Sequence, residues 1–190
     1  MVGILVAPVI TPLLPWGRSL SPYQTMMSGD QLGQIDAHFI EQMIPHHEDA
    51  ITMANLALTR AQHPEITALA NDIIRTQAAE IDQMKQWYAS WFGREVSNLS
   101  TAMGHGEGMM MQGGMMGNAT DMNSLENAEL FDQAFIEQMI PHHQMAVMMA
   151  QMLLASTNRP EMKQLAENIV SAQTAEINQM RDWYQTWYEN

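Results

Sequence analysis

Residues 36–92 recur at 132–188 with a constant offset of 96 and no gap, and 28 of the 57 aligned pairs are identical. The longest shared run is nine residues, from Phe39-Ile40-Glu41-Gln42-Met43 through Ile44-Pro45-His46-His47, matched by Phe135 through His143. Later matches include Met53 with Met149, Pro64 with Pro160, Glu80 with Glu176, Met84 with Met180, Trp87 with Trp183 and Trp91 with Trp187. A duplication this regular restricts the fold, because the two copies must share one local structure and each needs a partner for its apolar stripe.

Within a copy the apolar spacing is helical. Phe39, Met43, Ala50, Met53, Ala54 and Ala57 recur at three and four, as do Leu69, Ile73, Gln77, Ile81, Met84, Tyr88 and Trp91. The break falls before Pro64 and Pro160, where proline suits a first helical position. The pattern predicts helices over about 33–61 and 64–92 in one hairpin, and about 127–157 and 160–188 in the other. No strand pattern competes. Two such hairpins bury their stripes together as an all-α four-helix bundle. The expected organisation is an apolar, proline-rich tail at 1–32, hairpins at 33–92 and 127–190 forming one domain, and a Met- and Gly-rich linker at 93–126. With little to bury, that linker is expected to be mobile.

Pro45 and Pro141 interrupt these patterns, each removing a helical hydrogen bond at roughly 3 kcal/mol. Either the helix kinks there, or proline opens a separate helix after a break. Continuity of the pattern from Phe39 through Met53 favours the kink.

The chain has 21 acids against 8 bases and a formal charge of -13, which argues against nucleic acid and anionic membranes as partners and suits a cation. It has no cysteine, so disulfides and thiolate metal sites are excluded, and a soft ligand must be methionine. There are 20 methionines. Thioethers match copper(I) in softness and need no deprotonation. The alternative for a helical Met is that it fills core gaps as a flexible hydrophobe. The apolar run Ile4 to Trp16 is too short to span a bilayer and contains Pro8, Pro12 and Pro15, so membrane insertion is not expected. It is a candidate signal remnant, although the first base is Arg18.

On a helix, Met43 stands three residues from His46 and four from His47, and Met53 seven from His46, so these side chains share a face or its margin. His46 and His47 diverge by about 100 degrees and so have different environments, one turned inward and the other toward the surface or a carboxylate. Folding the hairpin brings Met84 level with Met43 and Glu80 near the histidines. The second copy repeats this with Met139, His142, His143, Met180 and Glu176. Two pseudo-symmetric Met/His metal sites are expected, with Trp87 and Trp183 closing the apolar layer nearby. Glu80 and Glu176 either orient imidazoles or sit on a solvated face. If the histidines ligate, binding weakens as pH falls through about 6.5.

Where the copies differ, Asp49, Thr52 and Leu56 become Met145, Met148 and Met152, which with Met149 form a stripe at spacings of three and four. It reads equally as a thioether site or as core. In the linker, Met103, His105, Met109, Met110, Met111, Met115 and Met116 lie among glycines that give no reason for burial, and capture of soft metal is the better reading.

The string Asp36, Phe39, Met43, His46, His47, Ala50, Met53, Ala54 and its twin from Asp132 resemble the DUF305 family of bacterial exported proteins. The resemblance covers both repeats and implies a ferritin-like helical fold. The doubled arrangement with a Met-rich linker is similar to copper-binding members, which implies Cu(I) and Ag(I) binding, copper tolerance and a periplasmic or secreted location. It does not carry di-iron chemistry, which needs Glu-x-x-His where this chain has Met43 and Met139. The leading expectation is a non-enzymatic copper buffer or carrier, with a copper-transport or sensor protein as candidate partner. A copper-dependent redox enzyme and a structural bundle without metal are the alternatives.

Overall fold

The structure is a computed structural model that describes residues 22–96 and 120–189, with side chains from Gly33 onward. Five helices follow in order: α1 Pro22–Arg60, α2 Pro64–Phe92, α3 Met122–Glu126, α4 Phe131–Ser156 and α5 Pro160–Tyr188. No strand occurs among the described residues. α1 packs on α2 and α4 on α5 as hairpins, and α1 against α4 joins them into one four-helix bundle.

Both second helices start where proline predicts. His63 and Arg159 are extended N-cap residues, with Pro64 and Pro160 next, where a missing N–H goes unneeded. α2 stops at Gly93, whose φ of 65° lets its N–H reach the carbonyl of Ala89. α1 corrects the expected start near 33: it begins at Pro22, beyond the repeat, with no proline to break it before Pro45. Helix is unbroken through Pro45 and Pro141, which discards the reading of proline as a helix start there.

The linker's C-terminal end is also corrected. α3 is capped by Asp121, whose carboxylate accepts the N–H of Ser124 at 2.9 Å, and its Leu125 is fully buried. That stretch is part of the core, because one leucine supplies the apolar anchor that a Gly/Met composition hides. α4 accordingly starts at Phe131, past the expected 127.

The interior has two apolar layers. One holds Phe39, Met43, Met84 and Tyr88 with Met149, Leu153 and Leu165; the other holds Met53, Ile66 and Ile73 with Leu125, Phe131, Met139 and Met180. Each layer draws on both hairpins, so neither hairpin has a complete core alone. Between the layers lies a polar waist of buried His47, Gln77, His142, His143 and Gln173.

Each end is tied across the hairpins by a buried aspartate. Asp132 accepts the backbone N–H groups of Gln62 and His63, at 3.1 and 2.8 Å, and pairs with His63 Nδ1 at 2.6 Å, while the His63 ring stacks on Trp187 at 3.8 Å. Asp36 accepts from Arg159 Nε at 3.0 Å, and that guanidinium lies 4.3 Å over Trp91. These are the same three positions of each copy, shifted by 96.

Candidate metal centre

The histidines occupy the waist because Met43-Ile44-Pro45-His46-His47 lies halfway along α1, and α4 runs antiparallel to it with the same five residue types at the crossing. His46 and His142 meet there with ring centroids 3.8 Å apart. His47 and His143 lie 6.4 and 6.2 Å from their neighbouring rings and are fully buried.

Each deep ring has a carboxylate partner on the second helix of its own hairpin. His47 Nε2 meets Glu80 at 2.7 Å and His143 Nε2 meets Glu176 at 2.6 Å. A carboxylate accepts, so Nε2–H donates and the Nδ1 lone pair is left facing inward. Neither Nδ1 has a protein partner. This is how a carboxylate fixes the tautomer and aim of a metal-ligating imidazole. Of the two readings of Glu80 and Glu176, imidazole orientation describes the geometry. It also removes the surface-facing alternative for one ring of each pair, since both deep rings are buried.

His46 and His142 are held far below the usual imidazole range, to about 3 and about 2 respectively, first by burial and then by the neighbouring histidines, whose charge would repel a second proton. His46 Nδ1 and both nitrogens of His142 lack a protein partner. Both rings are neutral well below neutral pH, the state that can donate to a metal. For these two rings, the expectation that binding fades through about 6.5 meets a different apo state: as ligands they would face proton competition only under more acidic conditions. An unpaired buried polar group costs about 1–3 kcal/mol. The waist concentrates several, together with the buried, unpartnered Oε1 atoms of Gln77 and Gln173.

Thioethers stand above and below. Met43 and Met84 share one layer and Met139 and Met180 the other. Met53, expected beside its own hairpin's histidines, packs instead in the layer of Met139 and Met180, and Met149 joins Met43 and Met84. Seven residues of helix carry Met53 about 10 Å beyond His46, into the far layer. Each layer therefore takes methionines from both hairpins, and the first also holds the buried Met162. Trp87 packs on the first layer and Trp183 on the second, stacking on Trp91 and Trp187.

The stripe of the second copy divides. Met149 is buried and Met145 half-buried, whereas Met148 and Met152 are 42% and 57% exposed, so it is neither all core nor one inward site. Met103, His105, Met109, Met110, Met111, Met115 and Met116 lie outside the described residues, as do residues 1–21. Gln77 enters the helical pattern only as a position on the apolar stripe, although a glutamine identical in both copies there, as Gln173, is a visible polar signal. Asp36 and Asp132 enter only as motif letters. Among the described residues, no three His, Asp or Glu side chains, the waist histidines included, are grouped so that they alone could hold a metal ion.

The family model of the domain of unknown function DUF305 matches residues 36–184. The chain belongs to the DUF305 family. Solved structures of CopM are similar to it: the Cu(I)-bound form is 49% identical with a TM-score of 0.68, over 80% of this chain and 97% of that one, and the co-crystallised silver-bound form gives the same values. A candidate secreted DUF305 protein from Streptomyces coelicolor is 30% identical with a TM-score of 0.67, over 80% of this chain and 93% of that one. An uncharacterized protein of Acanthamoeba polyphaga mimivirus is 45% identical over 49 residues, 26% of this chain and about a third of its own length, 32%.

Proposed function

We propose that this DUF305 protein binds Cu(I) and Ag(I) outside the cytoplasm with Met and His side chains, as a non-enzymatic buffer, carrier or resistance protein. The observation that carries the reading is the set of inward imidazole nitrogens at the waist, buried without partners and flanked by thioether layers. His46 and His142 can bridge the hairpins. His47 and His143, aimed by Glu80 and Glu176, supply one nitrogen each. Met43, Met84 and Met149 on one side, and Met139, Met180 and Met53 on the other, are the sulfur donors within the bundle. This donor set is soft and uncharged, so it favours monovalent copper and silver over Mg(II) or Ca(II).

Likeness to CopM, solved with copper and with silver, supports the metal. Likeness to a candidate secreted protein supports the location, and no helix among the described residues is long and apolar enough to cross a membrane. The linker methionines and His105 belong to this reading as a capture segment, and a copper-transport or sensor protein as the recipient.

Anaerobic Cu(I) titration against a competing chelator, with Zn(II) in parallel, tests it. Tight Cu(I) uptake with weak Zn(II) uptake and no redox turnover is expected. Equal Zn(II) affinity and stoichiometry would remove the soft-site reading, and turnover with a reductant and oxygen would make the protein an enzyme.

A further inference from the structure

The duplication creates two equivalent grooves between α1 and α4, one toward each end of the bundle, and they have diverged. The groove over Met53 is closed. Leu125 of α3 is buried in it, Thr120 Oγ1 donates to Met53 Sδ at 3.5 Å, and Arg60 lies 5.2 Å over the Phe131 ring while donating to the carbonyls of Glu126 and Ala128.

The groove over Met149, the counterpart of Met53, has no such cover among the described residues. It encloses about 510 Å³ between His38 and Phe39 of α1 and Met149, Met152 and Leu153 of α4. Among the lining positions that differ between the copies, three bear on closure and chemistry. Arg60, which anchors the closing segment, is Ser156 here. Ala134 is replaced by His38, and Leu56 by Met152. The first removes the clasp, and the other two put an imidazole and a thioether on the walls. His38 is exposed and Met152 is 57% exposed, so both donors reach solvent, while Met149 is 8% exposed at the groove floor and belongs to the same layer as Met43 and Met84. Packing does not account for this pair: an exposed methionine contributes little to a core, and an alanine and a leucine serve at the same positions opposite.

We propose that this groove is a second soft-metal site, in which His38, Met152 and Met149 take a monovalent cation of the Cu(I) or Ag(I) class from solvent. Met149 then links the groove to the thioether layer beside the waist. A nitrogen and two sulfurs, none needing deprotonation of a thiol, suit a soft ion with low coordination number. The inference rests on the soft-metal reading of the waist and adds to it an outer position that exchanges ions with solvent.

The test uses the full chain labelled with ¹³C-methyl methionine and titrated with Ag(I) in chloride-free buffer, with methyl signals assigned through single Met→Leu variants. Wild-type protein is expected to show Met152 and Met149 methyl shifts that saturate with Ag(I). His38→Ala is expected to weaken the Met152 response by about tenfold or more, a typical loss when the support of a metal site is removed, with Met139 and Met180 responding as before. His38 is exposed, so that variant keeps the fold, and an unchanged apo methyl spectrum elsewhere verifies it. If Met139 and Met180 respond while Met152 stays still, or if His38→Ala leaves the Met152 affinity unchanged, the groove is not a site and the waist reading stands. If no methionine in the bundle responds, both fail together.

Discussion

At one end of the bundle Asp132 holds His63 against Trp187; at the other, Asp36 holds Arg159 against Trp91. The clamp keeps its aspartate and tryptophan and changes its middle residue. Across the waist nothing changes: Met, His, His, Gln and Glu recur at all corresponding positions. The clamp needs only a planar donor that bridges a buried carboxylate to an indole face, which imidazole and guanidinium both provide. On the proposed soft-metal reading the waist needs a lone pair on an inward nitrogen, which guanidinium lacks. Tolerance of His/Arg exchange thus separates a fastening from a ligand.

The largest expected effect breaks the waist by acid. His46 and His142 ionise near 6.5 when unfolded, but when folded only near about 3 and about 2. Between those limits the unfolded chain takes up protons that the folded chain refuses, so folding stability is full above about 6.5 and falls as pH drops below it. Each ring contributes about 1 kcal/mol per pH unit. Denaturant unfolding of the apoprotein between pH 7 and 5, above the ordinary carboxylate range, should show this slope, and His46→Gln with His142→Gln should flatten it. A double variant as acid-sensitive as wild type would mean that the rings are not held neutral. Saturating Ag(I) should raise Tm, because a ligand bound only to the folded state stabilises it by mass action.

A smaller effect grades the two clamps. Asp132 satisfies two backbone N–H groups and a ring nitrogen, whereas among the described residues Asp36 pairs with the half-exposed Arg159 alone. Asp132→Ala is expected to cost about 3 kcal/mol, since it leaves several donors unpaired at once, and Asp36→Ala about 1–2 kcal/mol. Chemical denaturation of both variants measures the difference. Equal losses would show that the carboxylates act through burial alone.

The hairpins were legible because helix period and an ungapped repeat report local structure, and Pro64 and Pro160 mark starts through their own geometry. The assignment of Met53 to its own hairpin's site failed for a tertiary reason. Which layer a methionine joins depends on where α1 crosses α4, and helical spacing holds no information about that crossing. The same gap hid the pairing of His46 with His142, and the burial of Leu125, an apolar residue in a stretch of linker composition. Glu80 was visible as a candidate because it recurs as Glu176, but only the 2.7 Å contact separates an orienting carboxylate from a solvated one.

The smallest expected effect is the most discriminating for the comparison of clamp and waist. His63→Arg gives the first clamp the chemistry of the second: a guanidinium at an extended N-cap, able to donate to Asp132 and lie over Trp187 as Arg159 does over Trp91. The exchange keeps the carboxylate partner and the aromatic contact, and it replaces a titratable ring by a permanent cation. Its net effect on stability should stay within about 1 kcal/mol at pH 7, the size of a partly exposed charged contact. Ag(I) binding should be unchanged, because His63 lies at the end of the bundle and not at the waist. The matched exchange at the waist, His143→Arg, should remove Ag(I) ligation there and destabilise the fold, since a permanent charge would enter a fully buried position. Parallel unfolding curves and Ag(I) titrations of the two variants decide the matter. If His63→Arg lost metal while His143→Arg kept it, the assignment of ligand and fastening would have to be reversed.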